Sequence, residues 1–176
     1  MTITIEQTHR IDGDRMFATS TVRLPGAPFE KLFRLIFEES WDWWPHGRTT
    51  ARTQNEKGSG RFVLRPMWLR SPAQVGIEMD TPETTGQPGS RRAVAKARFF
   101  GSFDGPGRYE LEEVADGVVL RSVFEGVRRR GFLKLLPVAS VLDIHLRAEA
   151  GTLQFPFPKG TGFVGLERRL DGGETP

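Results

Sequence analysis

Apolar and polar residues alternate along most of this chain, and the places where the period changes mark its elements. In residues 15–23, Met16, Ala18, Ser20 and Val22 alternate with Phe17, Thr19, Thr21 and Arg23, a period of two that predicts a strand. Leu24-Pro25-Gly26 ends it. From Pro28, which suits the first turn of a helix, Phe29, Leu32, Phe33, Ile36 and Phe37 follow the spacing of one amphipathic helix. A second helix through Trp41-Asp42-Trp43-Trp44 must be short, because Pro45 and Gly47 follow at once.

From residue 49 to residue 130 the period returns to two. Phe62, Leu64 and Trp68 form one apolar face, and Val75, Ile77 and Met79 another. Ala93, Ala95, Ala97 and Phe99 oppose Arg92, Lys96 and Arg98, while Tyr109 and Leu111 oppose Arg108, Glu110 and Glu112. Asp116-Gly117, set between two apolar runs, predicts a hairpin. Lys57-Gly58-Ser59-Gly60 and Asp104-Gly105-Pro106-Gly107 predict two further turns, and residues 81–90 read as a loop long enough to be mobile. Six strands here and the first one make seven.

After Arg128-Arg129-Arg130-Gly131, residues 132–153 lose the alternation and hold no glycine before Gly151, which predicts a long helix bent near Pro137. At about 100° per residue, Ser140, Asp143 and Arg147 define its wet side. Val138, Val141, Leu142, His145 and Glu149 fall on the opposite arc, so two ionisable groups one turn apart project from the buried face. Beyond it, residues 155–162 read as extended, and Phe163, Leu166 and Leu170 as the apolar side of a short helix. The organisation expected is an N-terminal arm (1–13), a main domain (14–153), a C-terminal extension (154–170) and a disordered tail (171–176).

This order of strand, helix pair, meander and long helix, with Trp43-Trp44-Pro45 after the first helix, resembles the START-domain and birch-pollen-allergen-like superfamily (SRPBCC), and within it the bacterial polyketide cyclase/dehydrase-like branch. The resemblance covers residues 14–153, and residues 136–153 are similar to the pocket-closing helix of those proteins. It implies an α+β helix-grip fold: a seven-stranded curved antiparallel sheet wrapped around the C-terminal helix, two short helices after the first strand, and an apolar cavity between sheet and helix. It does not imply one reaction, since members transport lipids, bind hormones, close polyketide rings or assist chaperones. No Gly-Gly directly follows the tryptophans and no Thr-Trp pair stands in a later strand, a departure from the chaperone-activating branch.

With 176 residues, 38% of them hydrophobic, the chain has the length and the material for one domain with a substantial core. Its 25 lysines and arginines face 22 carboxylates, a net charge of +3 that is too small to indicate nucleic-acid binding. The absence of cysteine excludes disulfides, thiol nucleophiles, iron-sulfur clusters and Cys-based zinc sites. None of the three histidines shares metal-ligand spacing with a carboxylate and another histidine, so neither a metal nor a cofactor is expected. The first fifteen residues lack the apolar run of a signal peptide, and no stretch approaches a transmembrane segment, which makes the cytoplasm the expected compartment.

The candidate ligand-binding residues are Trp41, Trp44, Leu64, Trp68, Ile77, Phe99, Tyr109, Phe124 and Leu142, the apolar-face side chains of elements that would surround a cavity. Trp41 and Trp44 fit equally as core at the open end of the sheet. His145 and Glu149 are the candidate acid-base pair, because a carboxylate beside an imidazole raises its pKa and fixes its tautomer. The alternatives are a satisfied buried pair, or Glu149 bridging to Arg121 on the sheet. His46 is expected to be exposed, and His9 to lie in a flexible segment. The pairs and runs Arg91-Arg92, Arg128-Arg129-Arg130 and Arg168-Arg169 suit anion or phospholipid contacts, or simply solvated strand ends. Gly58-Ser59-Gly60 lacks the helix and lysine of a phosphate-binding loop. The leading reading is binding of a small hydrophobic molecule such as a fatty acid, isoprenoid or polyketide. Two others stand beside it: a cyclase/dehydrase-type enzyme using the same pocket with His145 as base, and a protein-interaction domain whose cavity is filled by large side chains.

Overall fold

The computed structural model of the chain describes residues 2–39, 49–54, 60–64, 75–152 and 162–172, with 49–54 and 60–64 described by their backbone alone. Among the described residues nine strands form one antiparallel sheet: β1 (Thr4–Asp12), β2 (Arg15–Pro25), β3 (Thr49–Gln54), β4 (Gly60–Leu64), β5 (Val75–Met79), β6 (Glu83–Thr85), β7 (Arg92–Gly101), β8 (Phe103–Val114) and β9 (Gly117–Arg129). Their order is β1-β2-β9-β8-β7-β5-β4-β3, with the short β6 pairing β7 off this path. The seven strands expected are β2, β3, β4, β5, β7, β8 and β9. The other two were read differently from sequence. Residues 4–12, taken as an arm, pair with β2 from Thr4↔Arg23 to Asp12↔Arg15, so His9 stands in an edge strand. Residues 83–85, taken as mobile loop, pair with residues 92–94 of β7.

The turn chemistry was read correctly at Asp116-Gly117, where β8 and β9 are joined through Ala115 and Asp116. It was misread at Asp104-Gly105-Pro106-Gly107, which lies inside β8. The register against β9 shifts between Asp104 and Gly107, where two residues of β8 stand opposite three of β9, and β7 meets β8 at Ser102 instead. The same extra residue of β9 shows against β2, where Met16 pairs with Val127 but Phe17 pairs with Glu125. The skipped residue is Gly126, with φ +87, a left-handed backbone that glycine adopts without a Cβ penalty. One bulge in β9 thus shifts its register against both neighbours, β2 and β8.

Among the described residues three helices accompany the sheet: α1 (Phe29–Phe33), continued by a π-helical turn Arg34–Glu38, α2 (Val138–Ala150) and α3 (Phe163–Leu170). The predicted spacing holds in the first, since Phe29, Leu32, Ile36 and Phe37 are buried and Phe33 half-buried. The short helix expected through Trp41 to Trp44 lies outside the described residues. The long helix expected over 132–153 is shorter than predicted. Pro137 holds an extended backbone at the start of α2, as does Leu136 before it, and Gly131–Leu135 forms a separate 3-10 turn. Proline here separates two elements where a bend in one was expected. The wet side of α2 is as predicted, with Ser140, Asp143 and Arg147 exposed. Phe163, Leu166 and Leu170 of α3 are buried.

The inner face of the sheet carries the core: Met16, Val22 and Leu24 of β2, Leu120 and Phe124 of β9, Leu111 of β8, Phe99 of β7 and Ile77 of β5. The outer face is a lattice of ions. On it Glu110, 7% exposed at its side chain, is held by Arg92 at 2.9 Å and Arg108 at 2.5 Å. Burial alone would raise the Glu110 pKa, but those two guanidiniums bring it below the ordinary carboxylate range.

Candidate functional site

One row across the inner face breaks its apolar character. Gln7 of β1 pairs with Ser20 of β2, Ser20 with Ser122 of β9, and Ser122 with Tyr109 of β8, so four polar side chains stand side by side on four adjacent strands. Ser20, Ser122 and Tyr109 are all buried. The next residue in the row, Ala95 of β7, returns to apolar.

Helix α2 packs over this row from the β1 and β2 side and brings Glu149 onto it. Glu149 is 2% exposed, and its Oε2 accepts a hydrogen bond from the Ser20 hydroxyl at 2.5 Å. The Gln7 amide ties the two layers together, donating to Ser20 Oγ and to the Leu146 carbonyl of α2, both at 3.0 Å. Burial pushes Glu149 up to about 7, with the Ser20 and Ser122 hydroxyls opposing the rise. Only the Ser20 contact closes into a hydrogen bond of good geometry, and Oε1, fully buried, accepts none among the described residues. The Tyr109 phenol is pushed above its ordinary range by burial and then by the nearby Glu149 carboxylate, against the pull of Ser122.

One turn earlier on α2, His145 meets different company. Its ring stacks on Phe124 with centroids 4.6 Å apart and meets the Phe103 ring edge-on at 5.6 Å. Phe124 in turn packs against Phe99 at 4.5 Å. Glu149 thus stands in a polar half of the interior and His145, also buried and one turn away, against aromatic rings. The bridge from Glu149 to Arg121 is not formed. Arg121 lies on the outer face, paired with Glu112 at 2.7 Å.

Of the residues expected to contact a ligand, Ile77, Phe99, Tyr109, Phe124 and Leu142 are buried between sheet and helices. Leu64 closes β4 opposite Val75, described by its backbone. Trp41, Trp44, Trp68 and His46 lie outside the described residues. The sequence reading missed Gln7, Ser20, Ser122 and Phe103. A signal for Ser20 was present, since it stands among Met16, Ala18 and Val22 on an otherwise apolar face. Among the described residues no group of three or more His, Asp or Glu is placed to hold a metal, and no helix is long and apolar enough to cross a membrane.

Two open concavities are formed by described residues, the first lined in part by Ala18 and Phe124. One, of about 510 Å³, spans Thr8, Phe17, Thr19, Val123 and Glu125 on β1, β2 and β9. The other, of about 530 Å³, lies between Phe29, Phe33, Thr84 and Arg91. No protein-family model, curated protein or solved structure matches this chain.

Proposed function

We propose that the protein binds a small, largely apolar molecule between the sheet and α2 and recognises its polar end with Glu149, Ser20 and Tyr109. The observation that carries this reading is the buried Oε1 of Glu149, which accepts no hydrogen bond among the described residues although it stands in a row of polar side chains. A buried acceptor left unsatisfied is costly, and a donor on a ligand removes the cost. The fit favours a hydroxylated compound such as an isoprenoid alcohol or a polyketide over a fatty acid, whose carboxylate would face an ionised Glu149 above about pH 7. The strand order β2-β9-β8-β7-β5-β4-β3, with helices after β2 and β9, supports a START-like helix-grip arrangement of the cyclase/dehydrase-like kind.

One observation favours a second reading, an enzyme of that same kind. A carboxyl group with a pKa of about 7 can give and take a proton near neutral pH, which moves the acid-base role from His145 to Glu149. The test begins with a hydrophobic fluorescent probe, which should bind saturably and be displaced by hydroxylated apolar compounds better than by fatty acids near pH 8. Glu149→Gln should weaken displacement by the hydroxylated compounds. A cyclised or dehydrated product formed by the wild type and not by the variant would select the enzyme reading. Absence of saturable binding would select an interaction domain with a filled interior.

A further inference from the structure

We infer that the 3-10 turn between β9 and α2 docks on an anionic lipid surface. This does not rest on the ligand reading, because the turn lies outside the interior. None of the five residues Gly131–Leu135 is buried. Leu135 is 85% exposed, and Phe132, Leu136 and Ile144 are 43%, 39% and 44% exposed. Four of the five exposed large hydrophobic side chains among the described residues thus cluster on the turn and the helix it leads into. The fifth, Ile11, stands at the same end of the sheet, in register with Met16 and, through it, Val127.

The segment that forms this apolar tip carries charge of one sign. From Arg128 to Leu142 the chain carries Arg128, Arg129, Arg130 and Lys134 and no carboxylate. Asp14 and Asp104 neutralise part of it, at 3.4 Å from Arg128 and 2.6 Å from Arg130. Arg129 donates to the Leu136 carbonyl and so fixes the turn against the strand end. A protruding apolar tip with a cationic collar matches a bilayer interface, where side chains enter the acyl boundary while guanidiniums meet phosphates. A folded protein partner would need a patch of roughly 800 Å² on each side, more than a few protruding side chains supply.

The experiment is co-sedimentation of the full chain with phosphatidylcholine vesicles, with and without phosphatidylglycerol. The wild type should partition onto the anionic vesicles and be released by raised salt. Leu135→Glu should reduce partitioning at least about tenfold, through loss of the buried apolar side chain. Arg128→Gln and Lys134→Gln should each reduce it about fivefold. Far-UV circular dichroism and probe binding should stay unchanged in Leu135→Glu, which keeps this test separate from that of the interior site. Failure of the wild type to bind anionic vesicles, or equal binding by Leu135→Glu, would overturn the inference. So would binding to an acidic polypeptide such as polyglutamate without binding to vesicles, which would assign the patch to a protein partner.

Discussion

Ser20 and Glu149, 129 residues apart in sequence, share a hydrogen bond of 2.5 Å at the centre of the interior. The bond joins the second strand to the last turn of α2. It places a buried carboxyl group beside hydroxyls and the Gln7 amide, and the pH behaviour of the protein follows from that.

Glu149 ionises near pH 7 in the folded chain against 4.5 for an ordinary glutamate. Between these values the folded chain keeps a proton that the unfolded chain has released. Stability therefore falls as pH rises from about 4.5, and the loss is complete above about pH 7. The size of the effect is a few kcal/mol. Glu149→Gln removes the titration at nearly constant shape. Its melting temperature should exceed that of the wild type by roughly 5 °C or more near pH 8 and match it near pH 5. Melting curves that stay parallel across this range would show that Glu149 is not the group responsible.

Ser20→Ala takes away the one good hydrogen bond to Glu149 and leaves Gln7 with the Leu146 carbonyl alone. A loss of about 1 to 3 kcal/mol is expected in urea denaturation. The carboxyl titration of Glu149, followed by NMR, should move further up. An unchanged titration would mean that burial alone sets it.

Much of this architecture was legible in the sequence, for local reasons. Alternation placed Met16, Ala18, Ser20 and Val22 on one face, and the 3.6-residue period placed Leu142, His145 and Glu149 on another. What could not be read was anything that depends on register. Asp104-Gly105-Pro106-Gly107 carries the same local signals whether it turns a hairpin or runs on within a strand opposite a bulge. Residues 4–12 alternate, but Gln7 and His9 interrupt the apolar side, as suits an edge strand covered on part of its face. The row Gln7, Ser20, Ser122 and Tyr109 exists only once four strands are paired, so the Ser20 contact of Glu149 could not be read from the helix alone.

Arg91 grips Glu113 with two parallel hydrogen bonds of 2.8 Å, also pairs with Glu30, and lies over the Phe29 ring at 4.6 Å. The same carboxylate accepts from the Gly89 amide at 2.7 Å, so one ion pair closes the segment after β6 onto β8. Arg91 holds Glu113 down to about 2. That contribution is present at neutral pH and is lost as pH falls from about 4.5 toward 2. Arg91→Lys keeps the charge but not the paired geometry. Glu113 should then titrate closer to an ordinary glutamate, and the Gly89 and Ser90 amides should exchange faster. Unchanged exchange would show that the segment is held by β6 alone.

Gly162 precedes α3 with φ +71, and a Cβ there would lie 2.5 Å from the Glu149 carbonyl oxygen and 2.7 Å from that of Ala148. These are backbone atoms of the last turn of α2, which cannot swing aside as a side chain would. Gly172, past the end of α3, has a comparable φ of +85 and nothing within 4 Å of its Cβ position. The two alanine variants therefore separate two costs. Gly172→Ala bears only the left-handed backbone penalty, about 1 to 2 kcal/mol. Gly162→Ala bears that penalty and must also move α3 away from α2, so it should lose at least about 2 kcal/mol more. Because the displaced carbonyl belongs to Glu149 itself, the Gly162 variant should also shift the Glu149 titration, while the Gly172 variant should not. Equal losses in thermal denaturation, with Glu149 titrating alike in both, would show that the close approach of the two helices does not position the site.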